Sequence, residues 1–280
     1  MTISIITINR NNRDGLRRTL ESVSGQTEKP LEMIVIDGAS TDGSVEVIPS
    51  FESVVTDWVS EPDRGIYHAM NKGIARAHGG WSLFLNSGDC LSGPEVIAQL
   101  TASKAVADII CGNALIQETP VRRKCPPKDI SLDFLWSGTL CHQAALIRTD
   151  LLRKRPYDEN LRIVADRKFF LQALVFDNCT FETVSVDVVN YDISGFSARN
   201  RLASELEWKH VLEEQIPSRI RSDYGTRKEG SLYGDGDYEK LFSEIGRRNW
   251  RKPVYHLVRG LLLLLSPFVK GARFIKEMPA

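Results

Sequence analysis

Three short, largely apolar runs near the start of the chain each stop abruptly in a polar turn, and this alternation limits the fold more than any other feature. Ile3-Ser4-Ile5-Ile6-Thr7-Ile8 gives way to Asn9-Arg10-Asn11-Asn12, Met33 to Ile36 to the turn Asp37 to Ser44, and Trp81 to Leu85 to Asn86-Ser87-Gly88-Asp89. Runs of this length with no strict polar alternation are what a strand buried on both faces requires. Between them apolar residues recur at helical spacing: Leu16, Leu20 and Val23 behind a candidate N-cap at Asp14, then Ile66, Met70 and Ile74. Strands alternating with helices imply an α/β fold, a mostly parallel central sheet flanked by helices. In such sheets ligands bind at the carboxyl ends of the strands. The stretch Ser60 to Leu91 organises the rest, because its buried strand carries Asp89 to its own exposed end.

The pattern continues less regularly. Asp42 and Ser44 both suit the cap of a helix after the second strand, and Val54 to Val59 is a weaker strand. Pro94 suits the first turn of a helix reaching Lys104, and Asp108 to Cys111 reads as a strand. Residues 117–130 read as an exposed loop, and Thr139 to Ile147 as a strand carrying Cys141-His142-Gln143. A helix over Asp166 to Phe176, a strand over Thr180 to Val189 and a loop from Tyr191 to Ser197 follow. From Asn200 the pattern is helical, with Leu202, Leu206, Val211 and Leu212 as its apolar side, and Arg219 to Asp237 reads as a disordered, Gly-rich interruption. The organisation expected is an α/β domain over residues 1–198 and a C-terminal helical extension over 199–280.

The 36 basic and 36 acidic residues cancel, so no global field attracts nucleic acid. Five scattered cysteines without a Cys-x-x-Cys pair argue against a disulfide framework or structural zinc, and no secretory signal pattern opens the chain, which fits a cytoplasmic protein. No G-x-G-x-x-G, P-loop or G-x-S-x-G motif occurs, which disfavours a dinucleotide oxidoreductase, a P-loop enzyme and an α/β-hydrolase.

Four acids, Asp37, Asp63, Asp89 and Asp166, fall where strands should end. Singly each reads as a turn former or helix cap; gathered on one sheet edge they read as a site. Here S-I-I-T-I-N-R-N, V-I-D-G-A-S-T-D-G-S, S-E-P-D-R-G-I-Y-H-A-M-N-K-G-I, F-L-N-S-G-D, C-H-Q-A-A and V-A-D-R-K-F-F together resemble the family 2 glycosyltransferases of GT-A fold, nearest their bacterial exopolysaccharide branch, colanic acid glycosyltransferases included. The resemblance covers roughly residues 1–198. It implies inverting transfer of a sugar from a nucleotide-diphosphate donor to an acceptor hydroxyl, with Mg²⁺ or Mn²⁺.

Carried over, the resemblance implies a nucleotide pocket at Thr7, Asn9 and Arg10, with Asp37 accepting hydrogen bonds from base or ribose and Asp63 and Arg64 alongside. Asn71 and Lys72 face the donor or the solvent. Asn86, Ser87 and Gly88 would flank the donor, Asp89 would hold the metal, and Asp166 would be the general base or, on its own sequence, a helix cap. His142 and Gln143 would contact phosphate or acceptor, or serve structure. Asn86 and Gly88 stand where many members carry Asp, so the metal would lean on the donor's phosphates; Ala165 replaces the family's usual second acid just before the base, on the acceptor side. Leu261 to Leu265, flanked by Arg259, Lys270, Arg273 and Lys276, is too short and interrupted to span a bilayer; it reads as an interfacial membrane segment or a packed helix. A lipid-linked glycan acceptor at the inner face of the membrane would suit it. Rival readings are transfer to a polyprenyl phosphate and a nucleotide-sugar-binding module without turnover.

Overall fold

The alternation builds one nine-stranded sheet in the computed structural model, which describes residues 1–193, 195 and 200–230, with 225–230 as backbone only. Strands β1 (Ile3–Asn9), β2 (Glu32–Asp37), β3 (Asp57–Ser60) and β4 (Trp81–Phe84) pair in parallel in the order β3-β2-β1-β4. Beyond β4 the order continues through β8 (Ala145–Arg148), β6 (Ile109–Ile116), β9 (Phe181–Tyr191) and β5 (Cys90–Leu91), while β7 (Arg122–Lys124) pairs off β6. β8 is antiparallel to both β4 and β6, which turns β6 and β9 back into the direction of the first four strands. Six of the nine strands therefore run one way.

Helices α1 (Arg13–Ser24) and α2 (Ile66–Arg76) follow β1 and β3; α3 (Val96–Ala102), α4 (Leu132–Ser137), α5 (Thr149–Lys154) and α6 (Ala165–Leu171) punctuate the second half. Leu16, Leu20 and Val23 of α1 join Ile5, Met33 and Val35 in one buried cluster. Met70 and Ile74 of α2, which lies on β1 and β2, are buried too. Each such side chain contributes about 1.5–3 kcal/mol. These two helices thus hold the strand ends against a rigid floor.

By contacts the chain divides into two compact units, Met1–Gln215 and Ile216–Ala280. The helix Arg201–Gln215 belongs to the first.

Several local expectations are corrected. Asn12, not Asp14, caps α1: its Oδ1 accepts the Gly15 N–H at 3.2 Å, and Asp14 is an exposed first-turn residue. Pro94 precedes α3, which spans only Val96–Ala102. The strand expected over Thr139 to Ile147 begins at Ala145, because the Ala144 N–H closes a 3₁₀ turn onto the Cys141 carbonyl and takes His142–Ala144 out of the ladder. Residues 117–130 include β7, held to β6 by register Leu115 to Arg123. Leu202 and Leu206 are exposed at 72% and 62%, whereas Trp208, Val211 and Leu212 of the same helix are buried. The polar run after Arg219 is helical as far as Gly230, in the helix Ser218–Gly230. The leucine run at Leu261 to Leu265 lies outside the described residues.

Candidate active site

The carboxyl end of β2 is closed by its own hydrogen bonds. Asp37 has no accessible surface. Its Oδ1 accepts from Asn9 Nδ2 at 2.7 Å and Ser40 Oγ at 2.6 Å, and its Oδ2 from Ser40 N at 2.9 Å and Ser60 Oγ at 2.6 Å. Burial alone would raise its pKa, but these donors outweigh it and hold the carboxyl below its ordinary value. Asp37 therefore ties the ends of β1, β2 and β3 together and presents no free oxygen to a ligand, unlike the role expected of it. Thr7 is equally enclosed, donating to the Leu85 carbonyl at 2.8 Å. Both support the rim from beneath.

What the rim exposes is Arg10 and Arg64. Arg10 Nη1 lies 3.9 Å from Asp63 Oδ1, and its side chain is 66% exposed. Asp63 is tucked in: Oδ1 accepts the Gly65 N–H at 3.0 Å, and Oδ2 lies so close over Gly38 that any Cβ there would overlap it. Arg64 pairs with Glu159. Asn71 and Lys72 stand beside this rim: Asn71 Nδ2 lies 3.1 Å from Glu159 Oε1, of the carboxylate that holds Arg64, and Lys72 Nζ lies 3.5 Å from the Pro62 carbonyl. Asn71 exchanges hydrogen bonds with the Tyr157 backbone, donating to its carbonyl at 2.9 Å and accepting from its N–H at 3.0 Å, and Lys72 pairs with Glu61 at 3.0 Å.

The turn after β4 is stitched to α1 by Thr19. Its Oγ1 donates to the Asp89 carbonyl at 2.7 Å and accepts the Gly88 N–H at 3.0 Å. Gly88 holds φ +109°, a conformation that side chains oppose, and a Cβ there would sit 3.3 Å from Asp192 Oδ2. The Ser87 carbonyl accepts from Asn12 Nδ2 at 2.9 Å. Asp89 thereby points inward, 5% exposed, with its Oδ1 accepting the Asp192 N–H at 2.9 Å. Burial pushes its pKa up to about 6, against the opposing pull of the Asp192 N–H, His142 and Gln143.

His142 and Gln143 reach the same place from the 3₁₀ turn before β8. His142 Nδ1 lies 3.0 Å from Asp166 Oδ2, and its Nε2 lies 3.5 Å from Asn86 Nδ2. Tyr67 donates its hydroxyl to Asp166 Oδ1 at 2.9 Å. Asp166 sits in the first turn of α6, whose N-cap is Val164, so it is neither a strand end nor the cap. Burial would raise its pKa, yet the contacts with His142 and Tyr67 outweigh this and keep it lowered, so the carboxylate is ionised at neutral pH. Burial and Asp166 push the Tyr67 phenol well above 10, which keeps it a donor.

The structure therefore joins Asn86, Asp89, His142, Gln143 and Asp166 at one end of β4, and adds Tyr67 and Asp192, which sequence reading did not single out. Tyr67 stood within the D-R-G-I-Y motif; Asp192 carried no local signal. No group of three or more His, Cys, Asp or Glu able to hold a cation occurs among the described residues. The oxygen donors nearby are the carboxylate of Asp89, that of Asp192, whose Oδ2 lies 3.8 Å from Arg18 Nη2, and the Oδ1 of Asn86, a buried atom with no hydrogen-bond partner. That set of hard oxygens suits Mg²⁺ or Mn²⁺ completed by phosphate oxygens rather than a closed protein cage.

Known proteins share this arrangement of sequence and fold. The sequence profile of glycosyl transferase family 2 matches residues 4–163. An uncharacterized glycosyltransferase of Mycobacterium tuberculosis is 32% identical over 259 residues, spanning 88% of this chain and 98% of that protein. A PGL/p-HBAD biosynthesis glycosyltransferase of Mycobacterium bovis is 29% identical over 210 residues, 72% of this chain and 78% of that protein. Among solved structures, the mannosyltransferase PcManGT of Pyrobaculum calidifontis, in complex with GDP-Man and Mn²⁺, superposes with a TM-score of 0.58 at 15% identity over 97% of this chain and 82% of that one. S. aureus TarS 1–349 in complex with UDP gives a TM-score of 0.58 at 19% identity over 69% of this chain, which spans 60% of that structure. With a buried carboxylate cluster at the carboxyl end of a six-to-three sheet and this family match over more than half its length, the chain belongs to glycosyl transferase family 2 and is a glycosyltransferase of GT-A fold.

Proposed function

We propose that this enzyme moves a sugar, with inversion, from a UDP- or GDP-sugar to a hydroxyl of a glycan acceptor, and that Asp166 removes the proton from that hydroxyl. The observation that carries the reading is the pair of hydrogen bonds on Asp166, from Tyr67 at 2.9 Å and His142 at 3.0 Å, which keep a buried carboxylate ionised and oriented. A base must be positioned before its basicity matters. Asp166 shares the cluster with Asp89, so proton removal and departure of the diphosphate would occur at opposite sides of one sugar. Asp89 and Asp192, with the Asn86 Oδ1, would hold the Mg²⁺ or Mn²⁺, which neutralises charge on the leaving diphosphate when bound. Arg10 and Arg64 on the exposed rim would meet the nucleotide, with Asn9, Asp37 and Asp63 supporting them.

For the acceptor, the support comes from the relatives named for PGL/p-HBAD biosynthesis and, over 31% of this chain, for teichuronic acid biosynthesis in Bacillus subtilis. A lipid-linked glycan acceptor suits both names. It also suits the basic, leucine-rich segment Arg259 to Lys276 as a peripheral contact with the inner face of the cell membrane; among the described residues no helix is long and apolar enough to cross one. The deciding experiment is calorimetric titration of UDP and GDP with and without Mn²⁺, then turnover of the donor so identified by the Asp166→Asn variant. Turnover should fall about 10²- to 10⁴-fold with nucleotide affinity nearly unchanged. Normal turnover by that variant would refute the base assignment.

A further inference from the structure

α6 begins with no side-chain cap of its own: Val164 occupies the N-cap position and makes no such bond. The backbone that leads into it is instead held by the helix Arg201–Gln215. Glu207 Oε1 accepts the Arg162 N–H at 2.7 Å, and its Oε2 accepts the N–H groups of Ile163 at 2.8 Å and Val164 at 3.0 Å. Three consecutive amides converge on one carboxylate, an arrangement that suits an anion electrostatically and fixes the backbone dihedrals between them. Asp166 follows two residues later.

The same helix grips the far side of Asp166. The guanidinium of Arg167 lies 3.9 Å from the centre of the Trp208 ring and donates to the Trp136 carbonyl at 2.8 Å, which also accepts Trp208 Nε1 at 3.0 Å. Lys168 pairs with Glu214 at 3.2 Å as well as Asp158 at 2.8 Å. Asp166 is thus bracketed in sequence by residues anchored to the Arg201–Gln215 helix. Both Asp166 and this helix lie beyond the residues that the family profile matches, 4–163.

We propose that Glu207 is a positioning residue for glycosyl transfer: by seating the 162–164 backbone it sets where the Asp166 carboxylate stands between Tyr67 and His142. The proposal rests on Asp166 being the base. Glu207 bonds the α6 entry, whereas Arg10 and Arg64 of the rim pair with Asp63 and Glu159. Its loss therefore acts on proton removal and leaves donor binding alone. A displacement of the base of about 1 Å is worth up to about 10²-fold in rate.

The test compares wild type, Glu207→Ala, Glu207→Gln and Asp166→Asn. Nucleotide release is followed with whichever of UDP-glucose, UDP-N-acetylglucosamine and GDP-mannose the wild type turns over, at a temperature where circular dichroism shows every variant folded. Glu207→Ala should lower kcat about 10- to 100-fold while the donor KM stays within about twofold. Glu207→Gln keeps an oxygen for Ile163 and Val164 but turns an NH₂ toward the Arg162 N–H, and should fall between the two. Hydrogen exchange should speed up at the 162–168 amides of both. Wild-type kcat in folded Glu207→Ala, or a loss carried by donor KM, would overturn the proposal. If Glu207→Ala does not fold, wild-type kcat in Glu207→Gln overturns it instead. Loss in Asp166→Asn with none in the Glu207 variants removes the positioning role only, whereas full turnover in Asp166→Asn removes the base assignment beneath it.

Discussion

Asp89→Asn isolates what it costs to keep a carboxylate inside this fold. Asp89 is 5% exposed, and burial raises its pKa from 3.8 to about 6. Between those two values the folded protein retains a proton that the unfolded chain has released, so stability falls as pH rises, from full strength below about pH 4 to complete loss above about pH 6. The difference of about 2 pH units corresponds to about 3 kcal/mol at neutral pH. Asn has nearly the same shape, can still accept the Asp192 N–H, and carries no charge to desolvate. Urea unfolding in EDTA should therefore show wild type losing about 2 kcal/mol relative to Asp89→Asn between about pH 4.5 and pH 7, the part of that window above pH 4.5. Mn²⁺ should reverse the sign, because the ionised carboxylate is the form that binds it. The Mn²⁺-dependent gain in Tm should grow through about pH 6 in wild type and be absent in the variant. A pH-independent difference between the two proteins in EDTA would refute the buried, proton-holding state of Asp89.

Further substitutions separate rim from support. Gly38→Ala places a Cβ against Asp63 Oδ2, so it should displace Asp63 and weaken nucleotide affinity about tenfold in the UDP and GDP titrations; unchanged affinity would detach Asp63 from the donor pocket. Ser60→Ala removes a 2.6 Å hydrogen bond from buried Asp37 and should cost about 1–3 kcal/mol in urea unfolding, with a loss below about 0.5 kcal/mol contradicting the tie between β2 and β3. Lys72→Met breaks the pair with Glu61 and the long contact with the Pro62 carbonyl, and should leave nucleotide affinity within about twofold; a larger loss would place Lys72 on the donor side.

The parallel half of the sheet was legible because its strands are buried on both faces, so Ile3 to Ile8, Met33 to Ile36 and Trp81 to Leu85 stand out as apolar runs with polar ends. Asp89 and Asp166 stood out through motifs. What the chain concealed was direction and partnership. A side chain's accessibility depends on its neighbours in space, so Thr7 and Asp37 read as rim residues although Thr7 is bonded to the Leu85 carbonyl after β4 and Asp37 is closed in by Ser60 of β3 and Ser40 of the loop after β2. His142 looked like a strand residue because Cys141 to Ile147 has strand composition; its polar contacts with Asp166 and Asn86 take it into a turn. Asp192 enters only through the pairing of β5 with β9, a long-range register that no local window contains. Glu207 resembled any charge on a solvated helix face.

β8 also has a consequence for how the protein is made. Until it pairs antiparallel with β4, Trp81 to Phe84 form an open, apolar sheet edge, and about 60 residues separate Phe84 from Ala145. At about 5–20 residues per second the ribosome needs several seconds to deliver the closing strand. During that interval the parallel half can fold on its own helices, but its β4 edge is a template for pairing with a neighbouring nascent chain. The antiparallel strand at the middle of the sheet is therefore a seal applied late in synthesis, and arrested chains ending before residue 145 should self-associate where chains ending after β8 stay monomeric.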